Sequence, residues 1–367
     1  MDKPSSEKKH IRILGTRGIP ARHGGFETFA EHFAQYLQNQ GWKVTVYCQI
    51  IGKGTISEVT WNGIHCINIP VSSDSSFNTM IFDLKSSIHA ALRQGICLTL
   101  GYNTAIFTCL LRLCGHKTIM NMDGIEWSRA KWSLPVRYWL RINEWVGAKL
   151  NHRLIADHPE ISKHLQRLAP PERIVMIPYG ASSPNAPDSA QLNRYDLKPY
   201  GYAIIIARPE PENSILEMVR AWSKKQRGIK LVVVGKYCNQ NPYQKQVMNS
   251  ASSDVIFLGA IYEKETIESL RYFASFYMHG HQVGGTNPSL VEALACKNPI
   301  LAHDNRFNRW VAGQAGLYFS NEDECLQRIE EILSINLQAM RDAAEKRHRD
   351  DFSFDHIHCL YEKAISS

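Results

Sequence analysis

The chain has 367 residues, of which 44% are hydrophobic and 21% are charged. These proportions are typical of a globular protein, and they exclude disorder, collagen and coiled coil as descriptions of the whole chain. The length favours two domains over one. The net charge of +7 permits an anionic partner such as a nucleotide, a phospholipid surface or a nucleic acid, and it selects none of them.

The cysteines and the first residues predict a cytoplasmic protein. Nine cysteines are scattered along the chain without a CxxC pair, which is typical of buried thiols in a reducing compartment. The opening MDKPSSEKKH is polar and charged, so it does not resemble a secretory signal. No run approaches the roughly 20 apolar residues of a spanning helix.

Short β-branched runs alternate with helical patterns along the first half. The predicted strands cover residues 11–16, 43–49, 64–70, 96–101, 118–123, 153–157 and 173–178. The predicted helices cover residues 26–39, 104–113 and 134–150. Such alternation indicates a parallel sheet with helices on both faces.

A stretch rich in Ser, Pro, Ala and Asn, residues 181–201, indicates the start of a linker, and the alternation then resumes. The later strands are predicted at 202–207, 230–235, 255–258, 276–279 and 299–302. The later helices are predicted at 212–225, 264–272, 288–295 and 322–333. The pattern predicts two doubly wound, Rossmann-like α/β domains, residues 1–185 and 200–350, with the ligand in the cleft between them.

A glycine-rich loop, LGTRGIPARHGGFETFAEHF, occupies residues 14–33 between a predicted strand and helix. Glycines let backbone N–H groups approach an anion, and the helix start adds positive potential. Arg17, Arg22 and His23 add charge. The loop is not GxGxxG, which disfavours a nicotinamide dehydrogenase; the alternative is a long turn that needs glycine.

Two further motifs follow predicted strands. In MNMDGIEWSRAKW, residues 120–132, Asp123 and Glu126 can orient sugar hydroxyls, unless they form a helix N-cap with a first-turn glutamate. In ARPEPEN, residues 207–213, Arg208 can hold a phosphate, unless it forms an exposed ion pair.

The fourth motif, MHGHQVGGTNPSLVEALAC, spans residues 278–296. Asn287 and Pro288 are typical of the N-cap and first position of a helix, and the preceding glycine amides make an anion cradle. Glu292 lies one turn into that helix, where it can accept hydrogen bonds from a ribose. His279 and His281 show no third ligand for a metal.

Taken together, GTRGIPARHGGFETF, DGIEW, ARPEPEN and HGHQVGGTNPSLVEA resemble retaining GT-B glycosyltransferases of the family-4 type, over nearly the whole chain. They look most like a bacterial subgroup that contains rhamnosyltransferases of polysaccharide biosynthesis. The resemblance implies a GT-B fold in which a final helix, residues 352–367, returns to the N-terminal domain. That domain would bind the acceptor and the C-terminal one the donor.

The resemblance also implies roles for single residues. Catalytic roles fall to Asp123, Glu126 and Arg208, with Arg208 on the donor diphosphate. The expected donor-binding residues are Arg208, Gly284, Gly285, Thr286, Asn287 and Glu292. The expected acceptor-side or cleft residues are Arg17, Gly24, Gly25, Glu27 and His279. No metal or other cofactor is implied.

Two positions depart from the family pattern. The first of two glutamates that commonly bracket the fourth motif falls at Gly284, which removes a carboxylate that often binds donor-sugar hydroxyls. The lysine commonly paired with the arginine falls at Asn213. The subgroup shares these departures.

The expected function is transfer of a sugar, favoured to be rhamnose from dTDP-rhamnose, with a UDP-sugar as the other donor. The acceptor is a saccharide or lipid-linked saccharide in cell-surface polysaccharide synthesis. No nucleic acid is expected as a partner. The alternatives are a GT-B-like nucleotide-sugar epimerase and a catalytically silent GT-B binding protein.

Tryptophans and basic residues share one stretch, residues 127–153. This stretch has a helical pattern and contains three tryptophans, Trp132, Trp139 and Trp145. It also carries arginines and lysines. This combination suits an in-plane helix on an anionic membrane, peripheral on the inner face of the plasma membrane. The alternative is that the tryptophans belong to the core and the charges coat the solvent face.

Overall fold

The computed structural model describes residues 9–21, 24–129 and 131–367. They form two compact units: residues up to Pro178 together with Ile357–Ser367, and Tyr179–His356. None of the helices in these ranges is both long and apolar enough to cross a lipid bilayer.

The first unit is built on an eight-stranded sheet with the order β3-β4-β2-β1-β5-β6-β7-β8. Its strands are β1 (His10–Leu14), β2 (Lys43–Ile51), β3 (Ser57–Trp61), β4 (Ile64–Val71), β5 (Ile96–Leu100), β6 (Thr118–Asn121), β7 (Arg153–Ala156) and β8 (Ile174–Met176). All pairs are parallel except β3 with β4. The central strands are buried and mostly apolar because helices cover both faces.

The helices of this unit are α1 (Gly25–Asn39), α2 (Ser76–Ala91), α3 (Thr108–Leu113), α4 (Leu134–Leu150), α5 (Pro159–Leu165) and, from the chain end, most of α13 (Phe354–Ser366). On one face, Phe33 of α1 and Ile357 of α13 pack on the Ile11 side of β1. On the other face, Phe82 of α2 and Leu111 of α3 lie in one cluster with Leu14.

The second unit has a six-stranded parallel sheet with the order β11-β10-β9-β12-β13-β14. Its strands are β9 (Tyr202–Ile206), β10 (Lys230–Val234), β11 (Val255–Gly259), β12 (Tyr277–His279), β13 (Ile300–His303) and β14 (Gly316–Phe319). Its helices are α6 (Ile215–Ser223), α7 (Pro242–Asn249), α8 (Lys264–Tyr272), α9 (Pro288–Ala295), α10 (Arg306–Ala312), α11 (Glu322–Ser334) and α12 (Gln338–Arg347).

The predicted two-domain α/β fold is confirmed, and several elements were not predicted. The edge strand β3, SEVTW, is almost entirely exposed, so it has no apolar alternation to reveal it. Helix α2 has two turns rich in polar residues, so the apolar residues of its buried face do not form a clear helical pattern in the sequence. The stretch predicted as a linker contains a 3₁₀ turn at Ser189–Tyr195, and the N–H of Ala181 donates to Phe352 O at 2.9 Å.

Candidate functional site

In the second unit, the strand order reverses between β9 and β12. Helix α6, which follows β9, and helix α9, which follows β12, cover opposite faces of the sheet. Loops that diverge in this way leave a crevice at the carboxyl ends of the strands, where α/β proteins bind ligands. The loop after β9 carries Arg208, and the loop after β12 carries residues 280–287. The fold therefore brings two of the four motifs together.

The two loops are joined by hydrogen bonds and by a close backbone approach. The backbone N–H of Gln282 donates to Glu212 O at 2.9 Å, and its side-chain amide donates to Ser214 Oγ at 2.9 Å. A Cβ on Gly280 would lie 2.1 Å from the carbonyl oxygen of Asn213. Only glycine fits there, so Gly280 sets the distance between the loops.

Arg208 is exposed, and its side chain forms no ion pair among the described residues. Its carbonyl oxygen accepts hydrogen bonds at 2.8 Å from the N–H of Glu210 and from the side-chain amide of Asn213. The backbone of the loop is thus fixed while the guanidinium stays unengaged. The alternative of an exposed ion pair is wrong, and Asn213, at the position of the family lysine, supports the loop.

The start of α9 has the predicted cap. Asn287 Oδ1 accepts the N–H of Ser289 at 3.0 Å, and Pro288 occupies the first turn. Ser289 Oγ lies 2.6 Å from the hydroxyl of Tyr277, which donates to Ile206 O at 3.1 Å. Because Ile206 ends β9, the positive end of the α9 dipole is fixed at this crevice.

The loop before α9 leaves room for a ligand. Gly284 has a φ of +138°, and nothing lies within 4 Å of a Cβ built on it. The Thr286 side chain is buried, whereas Gly285 is partly exposed. The position where the family has a carboxylate is therefore open space, and a side chain there would strain the backbone rather than clash.

Glu292 is already engaged. Its Oε2 lies 2.6 Å from Nη2 of Arg271, a buried guanidinium at the end of α8. Burial is the largest single influence and opposes the charged form of Arg271, but the Glu292 carboxylate and smaller contributions from Cys296, Tyr277 and Glu268 together raise the pKa of Arg271. The Glu292 side chain remains 42% exposed. Glu292 is therefore held through one carboxylate oxygen by α8, and it is not an unpaired carboxylate.

The structure corrects the expectation for His279, whose ring is only 1% exposed and so does not line an open surface. The ring of His279 stacks on that of His281 at 4.3 Å, and within the described parts of the chain neither nitrogen of the His279 ring has a hydrogen-bond partner. Burial, followed by the neighbouring His281 and His303, holds the pKa of His279 well below its ordinary value. The ring is therefore neutral. Within the described residues, no three His, Cys, Asp or Glu side chains could together hold a metal ion.

In the first unit, the strand order reverses between β1 and β5. A Cβ on Gly15, which directly follows β1, would lie 2.3 Å from Leu100 O. The glycine-rich loop therefore passes directly over the end of β5, because Gly15 has no side chain. The Asp123 loop leaves β6, the next strand along. The other two motifs thus share one sheet edge.

The glycine-rich loop is held by acidic side chains. Glu27 Oε1 accepts the N–H of Arg17 at 3.1 Å, and Arg17 Nη1 lies 2.8 Å from Asp74 Oδ1. Gly24, with a φ of +77°, is the N-cap of α1, and Gly25 is its first residue. Arg22 and His23 lie outside the described residues. Glu27 is thus a support of the loop, which presents the start of α1 at this edge.

Asp123 has left-handed backbone with a φ of +51°, which Asp tolerates better than most residues. Its N–H donates to Asn121 Oδ1 at 2.8 Å, and the Asn121 amide donates to Tyr361 of α13 at 2.7 Å. Burial, with the nearby Glu126, raises the pKa of Asp123 to about 6. The N-cap alternative is wrong, because the short 3₁₀ helix Glu126–Ser128 is preceded by Ile125 and α4 begins only at Leu134.

Glu126 has partners for both carboxylate oxygens. Arg129 Nη1 donates to Oε1 at 2.7 Å, and Trp132 Nε1 approaches Oε2 at 3.4 Å. The N–H of Glu126 donates to the Tyr102 hydroxyl, which follows β5. Through these contacts, Glu126 stabilises the loop that carries Asp123. Of this pair, Asp123 is the carboxylate that forms no ion pair among the described residues.

One polar residue of this edge was missed from the sequence. Asp83 of α2 accepts a hydrogen bond at 2.8 Å from Thr104 Oγ1, just beyond β5. Burial raises the pKa of Asp83 to about 7. The available signal was a single carboxylate within the otherwise apolar MIFDL segment, which becomes informative only once α2 is recognised.

The sequence matches two families. Residues 8–182 match a domain of unknown function (DUF1972), and residues 202–334 match Glycosyl transferases group 1. No curated protein is a significant match.

Solved structures resemble the whole chain. A sucrose-phosphate synthase from Thermosynechococcus elongatus superposes with a TM-score of 0.80 at 16% identity, covering 98% of this chain and 100% of that one. An E. coli trehalose-6-phosphate structure with bound UDP-2-fluoro glucose has a TM-score of 0.73 at 12% identity, covering 98% and 99%. A glycosyltransferase from Rickettsia africae has a TM-score of 0.72 at 14% identity, covering 98% of each chain.

At such low identity, these likenesses establish the fold, which is GT-B. The match of residues 202–334 to Glycosyl transferases group 1 gives the class of activity. The protein is a glycosyltransferase with the GT-B fold.

Proposed function

We propose that the enzyme transfers rhamnose from dTDP-rhamnose, with retention, to a saccharide or lipid-linked saccharide during cell-surface polysaccharide synthesis. The observation that carries the donor assignment is the crevice of the second unit. There, the loop that carries Arg208, whose guanidinium forms no ion pair among the described residues, is hydrogen-bonded to the loop that leads into the capped start of α9. A cation near the N-terminus of a helix is a combination that suits a diphosphate.

The second unit would bind the donor and the first unit the acceptor. Arg208 would stabilise the charge that grows on the leaving diphosphate, together with the α9 dipole and the amides of Gly284–Thr286. Neither contribution requires a metal ion. Glu292, held by Arg271 through one oxygen, would accept a ribose hydroxyl with the rest of its carboxylate.

On the first unit, Asp123 would orient the acceptor hydroxyl, and Glu126 would hold the loop that carries it. In a retaining transfer, the hydroxyl attacks from the face that the diphosphate leaves. An oxygen of the departing diphosphate takes the hydroxyl proton as the new glycosidic bond forms. The protein then mainly contributes position and charge stabilisation.

The open position at Gly284 supports a donor other than the usual hexoses. A carboxylate there would bind donor-sugar hydroxyls, and this chain has only open space. A 6-deoxy sugar such as rhamnose offers fewer hydroxyls to bind. We therefore favour dTDP-rhamnose over UDP-glucose.

The test is to measure the melting temperature of the purified enzyme with dTDP-rhamnose and UDP-glucose, and then nucleotide release with and without a saccharide acceptor. Our proposal expects stabilisation by dTDP-rhamnose and acceptor-dependent release of dTDP. Turnover of donor without acceptor would indicate an epimerase, and binding without turnover would indicate a silent protein. Stabilisation by UDP-glucose alone would refute the donor.

We further propose that the enzyme works as a peripheral protein on the inner face of the plasma membrane, where lipid-linked acceptors are available. Residues 127–153 contain six arginines and lysines and one acidic residue. Anionic lipid attracts such a segment.

A further inference from the structure

We propose that the outer face of α4 is the membrane-docking surface of this protein and that its occupant is an anionic lipid bilayer. The inference rests on the proposed membrane location and is independent of the donor sugar. The outer face comprises six residues that share one side of the helix: Leu134, Tyr138, Arg141, Ile142, Trp145 and Lys149.

The apolar members of this face are unusually exposed for their size. Leu134 is 74% exposed, Tyr138 is 75% exposed and Trp145 is 54% exposed. Ile142, between them, is 48% exposed. At 3.6 residues per turn, these positions form one continuous stripe along the helix. A stripe of large apolar side chains that remains in water indicates a missing partner.

Most of the tryptophans in residues 127–153 do not belong to this stripe. Trp132 donates toward Glu126, and Trp139 Nε1 donates to Asn103 O at 2.9 Å. Trp127 donates to Glu144 Oε2 at 2.9 Å. Their ring nitrogens are thus bonded within the unit, and Trp145 is the tryptophan of α4 left on the outer face.

The charged residues near the stripe favour an anionic partner. Arg141 and Lys149 lie on the outer face, and Lys131 is exposed just before the helix. The one acidic residue of α4, Glu144, is buried and bonded to His164 at 2.9 Å. The neighbouring α3, TCLLRL, has no acidic residue. An apolar stripe that carries Arg141 and Lys149 and no exposed acidic residue on its own helix matches the interface of a bilayer with anionic headgroups.

Helix α4 is otherwise built as part of the fold. Its inner face buries Leu140, Gly147 and Ala148 in the first unit. The outer side chains are therefore presented by a rigid helix, and binding requires no change of fold. Replacing them should leave folding intact, because exposed positions contribute little to stability.

The experiment is co-sedimentation of the full chain with vesicles of phosphatidylcholine, with or without phosphatidylglycerol. Wild type should bind only the anionic vesicles at low salt and dissociate as salt is added. Ile142→Glu should weaken this binding by about tenfold or more, because a carboxylate would face anionic headgroups. Ile335→Glu is the matched control, since Ile335 is 43% exposed in the second unit, and it should bind like wild type.

Equal binding by wild type and Ile142→Glu, or no binding of wild type to anionic vesicles at low salt, would overturn the proposal. So would sedimentation velocity that shows a wild-type dimer and an Ile142→Glu monomer, because the occupant would then be a second copy. The melting shift with dTDP should be the same in all variants. Its absence in wild type would count against the donor assignment and leave the vesicle result valid.

Discussion

Nη2 of Arg271 lies 2.6 Å from Oε2 of Glu292, and the pair joins the end of α8 to the middle of α9. Arg271 is buried, and its Nε finds no hydrogen-bond partner in the portion of the chain that the structure describes. The carboxylate therefore neutralises a buried cation, and it also lies on the helix whose start is the proposed binding site for the diphosphate. We infer that Glu292 has a structural role in addition to the role toward the ribose that we propose for it.

Glu292→Gln should consequently have two effects. It should lower the free energy of unfolding by about 1–3 kcal/mol, because Arg271 would lose its charged partner. It should also weaken dTDP and UDP binding, because an amide accepts a ribose hydrogen bond without charge assistance. Thermal melting and calorimetry measure the two effects separately.

The control for Glu292→Gln is Glu345→Gln, which removes the carboxylate of an exposed ion pair with Lys297 at 2.8 Å. Exposed pairs contribute little, so this variant should resemble wild type in both assays. Lower stability of Glu292→Gln with unchanged nucleotide affinity would leave Glu292 with the structural role alone.

Arg208→Ala should lower kcat/KM by about 10- to 100-fold or more, because a charge-assisted contact to the diphosphate is lost in the transition state. Its melting temperature should be unchanged, since the exposed guanidinium forms no ion pair in the described chain. Arg208→Lys should restore part of the activity. A soluble Arg208→Ala enzyme with wild-type kcat/KM would remove Arg208 from the donor site.

Asp123→Asn should impair transfer much more than nucleotide binding, because Asp123 belongs to the first unit and Arg208 and Glu292 to the second. Steady-state kinetics and calorimetry with dTDP compare the two effects. A variant that transfers normally but binds nucleotide poorly would reverse the roles of the two units.

The raised pKa of Asp123 predicts a pH dependence of transfer. Burial and Glu126 raise this pKa to about 6, so the carboxyl group becomes protonated as the pH falls through 6. A carboxylate that accepts a hydrogen bond from the acceptor works in its ionised form. The kcat/KM of wild type should fall below pH 6, and that of Asp123→Asn should lack this step. An identical fall in both enzymes would assign the titration to another group.

The features that could be predicted from the sequence are those that depend on residues close together along the chain. The cap at Asn287 and the apolar runs of the parallel strands follow from local patterns, and the structure has both. The Arg271–Glu292 and Asp83–Thr104 pairs each join residues 21 positions apart on different elements. Such pairs depend on how elements pack, which periodicity does not reveal. For the same reason, the tryptophans of α4 could not be sorted into buried and exposed from the sequence.

The last prediction concerns Asp83, whose pKa is raised to about 7 by burial although Thr104 Oγ1 donates to it at 2.8 Å. The fold favours the protonated carboxyl, so the stability that it contributes is present below about pH 4 and is lost as the pH rises through 7. Asp83→Asn keeps an acceptor for Thr104 and removes the charge. At pH 8 it should therefore be more stable than wild type by about 1–3 kcal/mol, a figure reduced for partial solvation. The difference should vanish near pH 4. Asp74→Asn, at a carboxylate that is 53% exposed, should not show this gain. Equal melting temperatures of wild type and Asp83→Asn at pH 8 would mean that the Asp83 carboxylate is solvated or stabilised by a charge.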